Sequence, residues 1–325
     1  RSTLTAFSAS VTQTRLTSTA LSGLKDGSER RLRPVQWDAR GGEWLTYRDV
    51  VRLHAPPSYD AAWEKEAETL TLLVSRCAFD GGAERNVFHA QFEGSQFAWV
   101  AKEGKHIQAE FEDELEFHKR SLVTQATCAA WAGEFNWQVD QLGFGLPPVE
   151  VNRCYLVVVD DRPLFVEPKI SGRFVKWNSN HGVVIPSQLA SKDDQERARS
   201  DGKPTIDDVP QAFSHWTYAA SRATRMVCDL QGFFTGGRFV LVDPVIHSDA
   251  ERNAEGTFGR TDRGAKGMAD FLRSHECNAL CRCLASSSPR LRPCQAVVSA
   301  SSARMCRGRC ASSVATPTAV NRAHS

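Results

Sequence analysis

Residues Met226–Leu230 form a short apolar run broken by one acid, Asp229, and followed by Gln231 and Gly232. A carboxylate in such a run is costly to bury unless it is paired, hydrogen-bonded or beside a metal. Phe233–Leu241 reads as a hairpin around Thr235-Gly236-Gly237, because glycine adopts positive φ without steric cost. That hairpin returns Asp243 toward Asp229 and Gln231. Two carboxylates and an amide at strand ends suit Mg²⁺, a hard ion that takes oxygen ligands and keeps several waters. Read alone, Asp229 is more often a strand-end or capping acid than a metal ligand.

A second constellation overlaps the first. His275, Cys277 and Cys281 lie in a helix-like segment, Gly264 to Leu284, where Cys277 and Cys281 share a face at i, i+4. Three nitrogen and sulfur ligands from one segment need a fourth to close a zinc tetrahedron. His215, at the start of an amphipathic helix over Ser214–Ala223, is the donor at hand. The alternatives are reduced, buried cysteines or a disulfide. The disulfide is the weaker of the two, because the other thiols are scattered and no signal peptide is visible. Four of the ten cysteines precede residue 270 and six follow it, a shift in composition.

The 325 residues allow one large domain or two small ones, and 41% hydrophobic content is enough for a core. A net charge of +2 gives no global case for nucleic acid. No run of 18 apolar residues exists, so no transmembrane helix is expected. The chain begins with Arg1, which reads as a fragment or processed chain and leaves a targeting signal open. A cytoplasmic, intracellular setting is expected.

Residues 1–33 are Ser-, Thr-, Leu- and Arg-rich without period and read as a flexible tail. Trp37–His54 is a small ordered piece, and Ala55-Pro-Pro-Ser a linker or turn. Thr69–Arg76 reads as a strand. Gly81, Gly82 and Arg85 then form a candidate phosphate loop, in which glycines admit backbone N–H groups to phosphate oxygens and Arg adds a forked donor. Hairpin turns use the same residues, and the Gly-Lys-Ser/Thr of a Walker loop is absent. Lys102 ends the strand Phe97–Glu103. Protein kinases hold nucleotide phosphates from such a position, although a surface lysine at a strand end is the commoner case.

Gln108–Ala130 has a helical pattern with Glu110, Glu112, Asp113, Glu114 and Glu116 in its first turns, suiting the helix dipole. One of these acids is expected to pair with Lys102. Cys154–Val159 and Leu164–Glu167 are two strands. Lys176 and Asn180 follow as phosphate or ribose candidates, or as members of a polar loop. Ile185–Gln211 is charge-dense and reads as a solvated insert. Beyond Leu284 the period is lost and the chain reads as disordered, with Cys294, Cys306 and Cys310 incidental.

Taken in order, these stretches resemble the alpha-kinase family, the atypical protein kinases of the myosin-heavy-chain-kinase and elongation-factor-2-kinase type. The resemblance covers roughly residues 67–284 and rests on Gly81-Gly-Ala-Glu-Arg, Val100-Ala-Lys, Val166-Glu-Pro, Phe174-Val-Lys-Trp-Asn-Ser-Asn, Ala212-Phe-Ser-His-Trp-Thr-Tyr, Cys228-Asp-Leu-Gln-Gly, Val242-Asp-Pro and His275-x-Cys-x-x-x-Cys. It implies an α+β, two-lobed atypical kinase fold with a β-rich N-lobe, a mixed C-lobe and a structural zinc site. Residues 1–60 would be tail and linker, 61–286 the kinase domain and 287–325 a tail. It further implies ATP, Mg²⁺ and Zn²⁺. Lys102 and Arg85 would hold ATP, with Gly81 and Gly82 in the phosphate loop. Glu167 would meet adenine at the hinge, and Lys176 and Asn180 would lie on the nucleotide side. Asp229 would be the catalytic aspartate, and Gln231 and Asp243 the Mg²⁺ ligands. His215, His275, Cys277 and Cys281 would hold zinc.

The implied activity is transfer of the ATP γ-phosphate to Ser or Thr of a protein substrate. The alternative is a catalytically weak, zinc-stabilised nucleotide-binding scaffold. Two local departures stand out. The loop between Gln231 and Asp243 is longer than usual, and Gly259-Arg-Thr-Asp262-Arg-Gly264 carries Asp where the family pattern has Asn. That substitution adds a negative charge where phosphates and substrate would meet.

Overall fold

A computed structural model describes residues 15–16, 43–55, 63–82, 84–105, 114–160, 162–249 and 257–287. The readings of residues 1–33 and of the chain past 287 fall almost entirely outside them, as do Glu110, Glu112 and Asp113. Along the chain run β1 (Arg15–Leu16), β2 (Trp44–Val50), β3 (Leu53–His54), β4 (Trp63–Lys65), β5 (Leu70–Gly81), β6 (Arg85–Phe92), β7 (Trp99–Gly104) and α1 (Glu114–Gln141). Next come β8 (Val149–Val151), β9 (Tyr155–Val159), β10 (Arg162–Pro168), β11 (Phe174–Lys176), α2 (Lys192–Asp201) and α3 (Val209–Ala220). The series closes with β12 (Arg225–Cys228), β13 (Gln231–Thr235), β14 (Arg238–Leu241), β15 (Val245–Ser248), α4 (Gly264–Ser274) and α5 (Ala279–Ser287).

Nine strands form one sheet in the order β1-β4-β3-β9-β10-β7-β6-β5-β2. One face packs an apolar layer that includes Leu72, Phe88, Ala101, Leu164 and Val166. Cross-strand neighbours share a face, so the pairs Val87↔Lys102 and Phe165↔Lys102 put Lys102 on the other face with Phe165. Both β2 and β3 pair into this sheet, β2 with β5 and β3 with β9. The ordered unit therefore begins at least as early as Trp44, ahead of the boundary expected at residue 61.

Helix α1 continues to Gln141, well past the expected end at Ala130. Its 28 residues span about 42 Å, enough to serve two cores. Leu122 packs with Leu53, Leu156 and Phe165 beneath the large sheet. Cys128, Ala132, Phe135 and Val139, spaced by three and four, pack with Phe213, Trp216, Val227 and Leu230 in the second core. A four-stranded sheet, β11-β13-β14-β8, and a two-stranded one, β12-β15, belong to this second half.

The expected hairpin is present, with Thr235↔Arg238 closing a two-residue turn of Gly236 (φ 58°) and Gly237 (φ 72°). Three expectations change. Ile185–Gln211 is not wholly a solvated insert: it holds the exposed helix α2, capped by Ser191, and the buried start of α3 at Val209 and Gln211. Because α3 starts at Val209, with Pro210 in its first turn where a missing N–H costs nothing, His215 sits mid-helix. The segment Gly264–Leu284 is two helices, and the break leaves Cys277 outside both and exposed.

Candidate active site

Register brings the acids together. β12 and β15 are antiparallel with Cys228 opposite Val245. Asp229 leaves one strand and Asp243-Pro244 enters the other at the same end. Both acids have left-handed backbone, φ 56° at Asp229 and φ 46° at Asp243, a conformation asparagine and aspartate tolerate better than other side chains but still a strained one.

Asp243 faces the large sheet. Its carboxylate takes the Lys102 ammonium at 2.6 Å and the Arg85 guanidinium at 2.7 Å. Burial alone would raise its pKa, but Lys102 and Arg85 outweigh that and hold it at about 2. Lys102 also pairs with Glu167 at 2.8 Å, both side chains being under a tenth exposed. Burial pushes the Glu167 carboxyl up against the pull of Lys102. The lysine's own pKa is raised, because the two carboxylates outweigh desolvation. Arg85 is further fixed by the Ser121 hydroxyl and by the rings of Phe117 and Phe165, at 5.1 and 4.8 Å. Two cations and two anions thus balance in one partly buried cluster.

Two expectations bear on this cluster. The ion-pair partners of Lys102 are Glu167 and Asp243, with no described acid of α1 among them. Glu167 gives one oxygen, Oε1, to Lys102, while its Oε2 is buried without a hydrogen-bond partner. The candidate phosphate loop has the geometry of a turn between β5 and β6. The Gly82 N–H donates to the Arg85 carbonyl and the Gly81 N–H to the Asp80 side chain. Both glycine N–H groups thus have partners within the turn.

The second cluster surrounds Asp229. Oδ1 takes the Lys176 ammonium at 2.7 Å and the Asn180 backbone N–H at 3.0 Å. Oδ2 takes the Gln231 amide nitrogen at 3.3 Å. Lys176 and Gln231 are direct partners across β11 and β13. The Leu230 N–H donates to Asn178 Oδ1, and Leu230 carbonyl accepts from the Trp177 N–H, so the segments carrying Asp229 and Asn180 are stitched together. Asn180 Oδ1 is buried with no partner. Buried side-chain oxygens are normally satisfied, which makes this atom a feature of the site.

Sequence reading missed Ser121, His247 and Arg263. His247 and Arg263 both reach the Asn180 carbonyl, each at 3.1 Å. Asp262 is engaged within its own loop and with β15. It takes the N–H groups of Ser248 and Gly264 at 2.9 and 2.7 Å, and the Ser248 hydroxyl.

The third cluster is the His/Cys group. His275 Nε2 lies 3.2 Å from His215 Nδ1, Cys277 Sγ 3.6 Å from the same nitrogen, and Cys281 Sγ 3.5 Å from His275 Nε2. His215, His275 and Cys281 have their ligand atoms within 4.8 Å of one another. The Cys281 thiol and the two imidazoles hold the Cys277 thiol far below its ordinary value.

The alpha-kinase family profile matches residues 80–281. Alpha-protein kinase vwkA of Dictyostelium discoideum is 29% identical over 230 residues, 68% of this chain and 32% of that protein. Human eukaryotic elongation factor 2 kinase is 27% identical over 264 residues, 79% of this chain and 30% of that protein. The chain thus spans about a third of the length of these relatives. In fold it is similar to the alpha-kinase domain of myosin heavy chain kinase A solved with AMP, with TM-score 0.55 and 22% identity over 74% of this chain and 98% of that one. The chain belongs to the alpha-kinase family.

Proposed function

We propose that this chain is an ATP-dependent serine/threonine protein kinase whose catalytic unit runs from about Trp44 to Ser287. The observation that carries this reading is the placement of Arg85 and Lys102 on one sheet face, meeting an acid, Asp243, at the end of the β12–β15 pair where Asp229 also lies. Phosphoryl transfer is catalysed by positioning and by cations that take up charge on the transferred group. Relatives named as elongation-factor-2 and myosin-heavy-chain kinases support a protein acceptor.

In this reading the triphosphate takes Arg85 and Lys102 from Asp243. Asp229, fixed by Lys176 and the Asn180 N–H, orients a Ser or Thr hydroxyl. The hydroxyl oxygen bonds to the γ-phosphorus as the bond to the ADP oxygen breaks, and the hydroxyl proton passes to Asp229. The oxygen donors suit Mg²⁺. Gln231 gives its amide nitrogen to Asp229, which leaves its oxygen for a hard cation, and Asn180 Oδ1 is buried and unpartnered. Mg²⁺ would neutralise charge on the phosphates. Asp243 would join it once released from the two cations.

The His/Cys cluster fits zinc. A tetrahedron with Zn–N of about 2.05 Å and Zn–S of about 2.3 Å has N···N edges near 3.3 Å and N···S edges near 3.6 Å. The observed separations are 3.2, 3.5 and 3.6 Å. Zinc here would join α3 to the break between α4 and α5. No described helix is long and apolar enough to cross a membrane.

Labelled ATP with a generic protein acceptor tests the activity. Asp229→Asn is expected to keep ATP affinity and lose on the order of 10²-fold or more in turnover. Asp243→Ala is expected to weaken ATP and Mg²⁺ binding. Near-normal turnover in Asp229→Asn would remove the assigned mechanism.

A further inference from the structure

His247 lies on β15, wholly buried. Its Nδ1 accepts the Arg263 backbone N–H at 3.1 Å. That contact fixes the tautomer, because Nδ1 must then be bare and Nε2 must carry the proton. Nε2 accordingly donates to the Asn180 carbonyl at 3.1 Å. The Arg263 guanidinium donates to the same carbonyl, also at 3.1 Å, and at its other end is held by Asp270 at 2.7 Å. Asn180 in turn gives its own N–H to Asp229 Oδ1. A single residue, Asn180, is therefore gripped at its carbonyl by His247 and at its amide by Asp229.

One side of the ring is closed by α4. Gly267 of α4 lies against it so closely that a Cβ there would sit 2.4 Å from Cδ2 and 2.6 Å from Nε2. Charged groups around the imidazole are Asp262, 3.9 Å from Nδ1, together with Arg263 and Asp229. Burial keeps the imidazole below its ordinary pKa and hence neutral.

We propose that His247 is a positioning residue that sets Asp229 against the Gly259–Gly264 loop through Asn180 and Arg263. The proposal rests on Asp229 acting as the acceptor of the hydroxyl proton. None of the contacts of His247 reaches Arg85, Lys102 or Glu167, so its effect falls on Asp229 and the Asn180 backbone and not on the cations that hold the phosphates. A displacement of about 1 Å at a reacting group can cost on the order of 10²-fold in rate.

The test uses the full chain and four variants: His247→Ala, His247→Gln, Gly267→Ala and the Ala/Ala double. Turnover, ATP affinity, thermal melting and amide exchange of residues 177–184 and 257–264 are measured on each. His247→Ala should lose roughly 10- to 100-fold in kcat with ATP affinity within about twofold. Exchange should rise in both segments together. Gln, which can replace the Nε2 donor but not the Nδ1 acceptor, should recover part of the turnover. Gly267→Ala should reproduce the loss by pushing the ring, and should cost nothing more where His247 is already Ala. A folded His247→Ala with wild-type turnover overturns the proposal, as does a parallel fall in turnover and ATP affinity. If His247→Ala does not fold, Gly267→Ala decides, and wild-type turnover in it overturns the proposal. If the wild-type chain binds ATP but transfers no phosphate, the kinase reading fails. The positional claim then stands or falls on whether the two segments lose exchange protection together.

Discussion

Lys102→Met should destabilise the fold by an amount that depends on pH. Lys102 lies 2.8 Å from Glu167, and their side chains are 7% and 5% exposed. Removing one partner of such a buried pair typically costs about 3–5 kcal/mol, because the other charge is stranded. Arg85 stays on Asp243, so Glu167 is the group left stranded. A carboxylate has an exit, which is to take a proton. Holding a carboxyl protonated costs about 1.4 kcal/mol for each pH unit above its ordinary value of about 4.3. That caps the loss at about 3.7 kcal/mol at pH 7 and about 1 kcal/mol at pH 5. The sign follows from a folded-state pKa above the unfolded one. Such a group's stabilising proton uptake is complete below the unfolded value and is lost as pH rises through the folded one. The deficit should therefore grow from pH 5 to pH 7. Urea unfolding of wild type and variant at both pH values measures it. Lys102→Met/Glu167→Gln, which removes both charges, should recover most of the loss at pH 7. An equal deficit at the two pH values, or none at pH 7, would refute the view that Lys102 holds Glu167 ionised.

Zinc removal should be more drastic. Structural zinc contributes on the order of 10 kcal/mol, so His215→Ala, Cys281→Ala or exhaustive chelation should unfold the C-terminal half, as read by circular dichroism. Folded, active protein without zinc by elemental analysis would end that reading. Gly232→Ala should also destabilise. Gly232 has φ +148°, and an added Cβ would meet the Val240 carbonyl oxygen at 2.1 Å. Backbone strain and overpacking together should cost about 3–5 kcal/mol in urea unfolding. Unchanged stability would mean that β13 and β14 do not pair in this register.

The residue types of the site were legible in the sequence because each contradicts its surroundings. Asp229 breaks an apolar run, Lys102 ends one, and a Gly-Gly turn announces the return that carries Asp243. The pairings were not legible. The acids at the start of the helical segment are near Lys102 in sequence, and one of them was its expected partner, yet among the described residues Glu167 and Asp243 pair with it. Glu167 stands on β10 opposite Val100, two residues from the Phe165↔Lys102 pair and therefore on the same face. Only strand register supplies that fact, and register depends on long-range pairing. The second half of α1 was written in the spacing of Cys128, Ala132, Phe135 and Val139, but Gly133 and the polar residues between them weaken the pattern.

Asp262 shows how the same blindness alters a functional inference. As a letter it adds a negative charge to a glycine-rich loop. In the fold that charge is taken up by two backbone N–H groups and a hydroxyl, and it pins the loop to Ser248. Its neighbour Arg263 then delivers its own N–H to His247. An Asn there could keep the same tether, because both N–H groups go to Oδ1 and the Ser248 hydroxyl can accept from an NH₂ as well as donate to Oδ2. What Asp262 adds to the tether is its charge, which three donors hold on the loop. Where an acid departs from its surroundings, its bearing on function depends on whether donors within the fold have already claimed it. Asp262 is claimed in full. Asp243 is claimed by two cations that, in the proposed reading, a triphosphate would take from it.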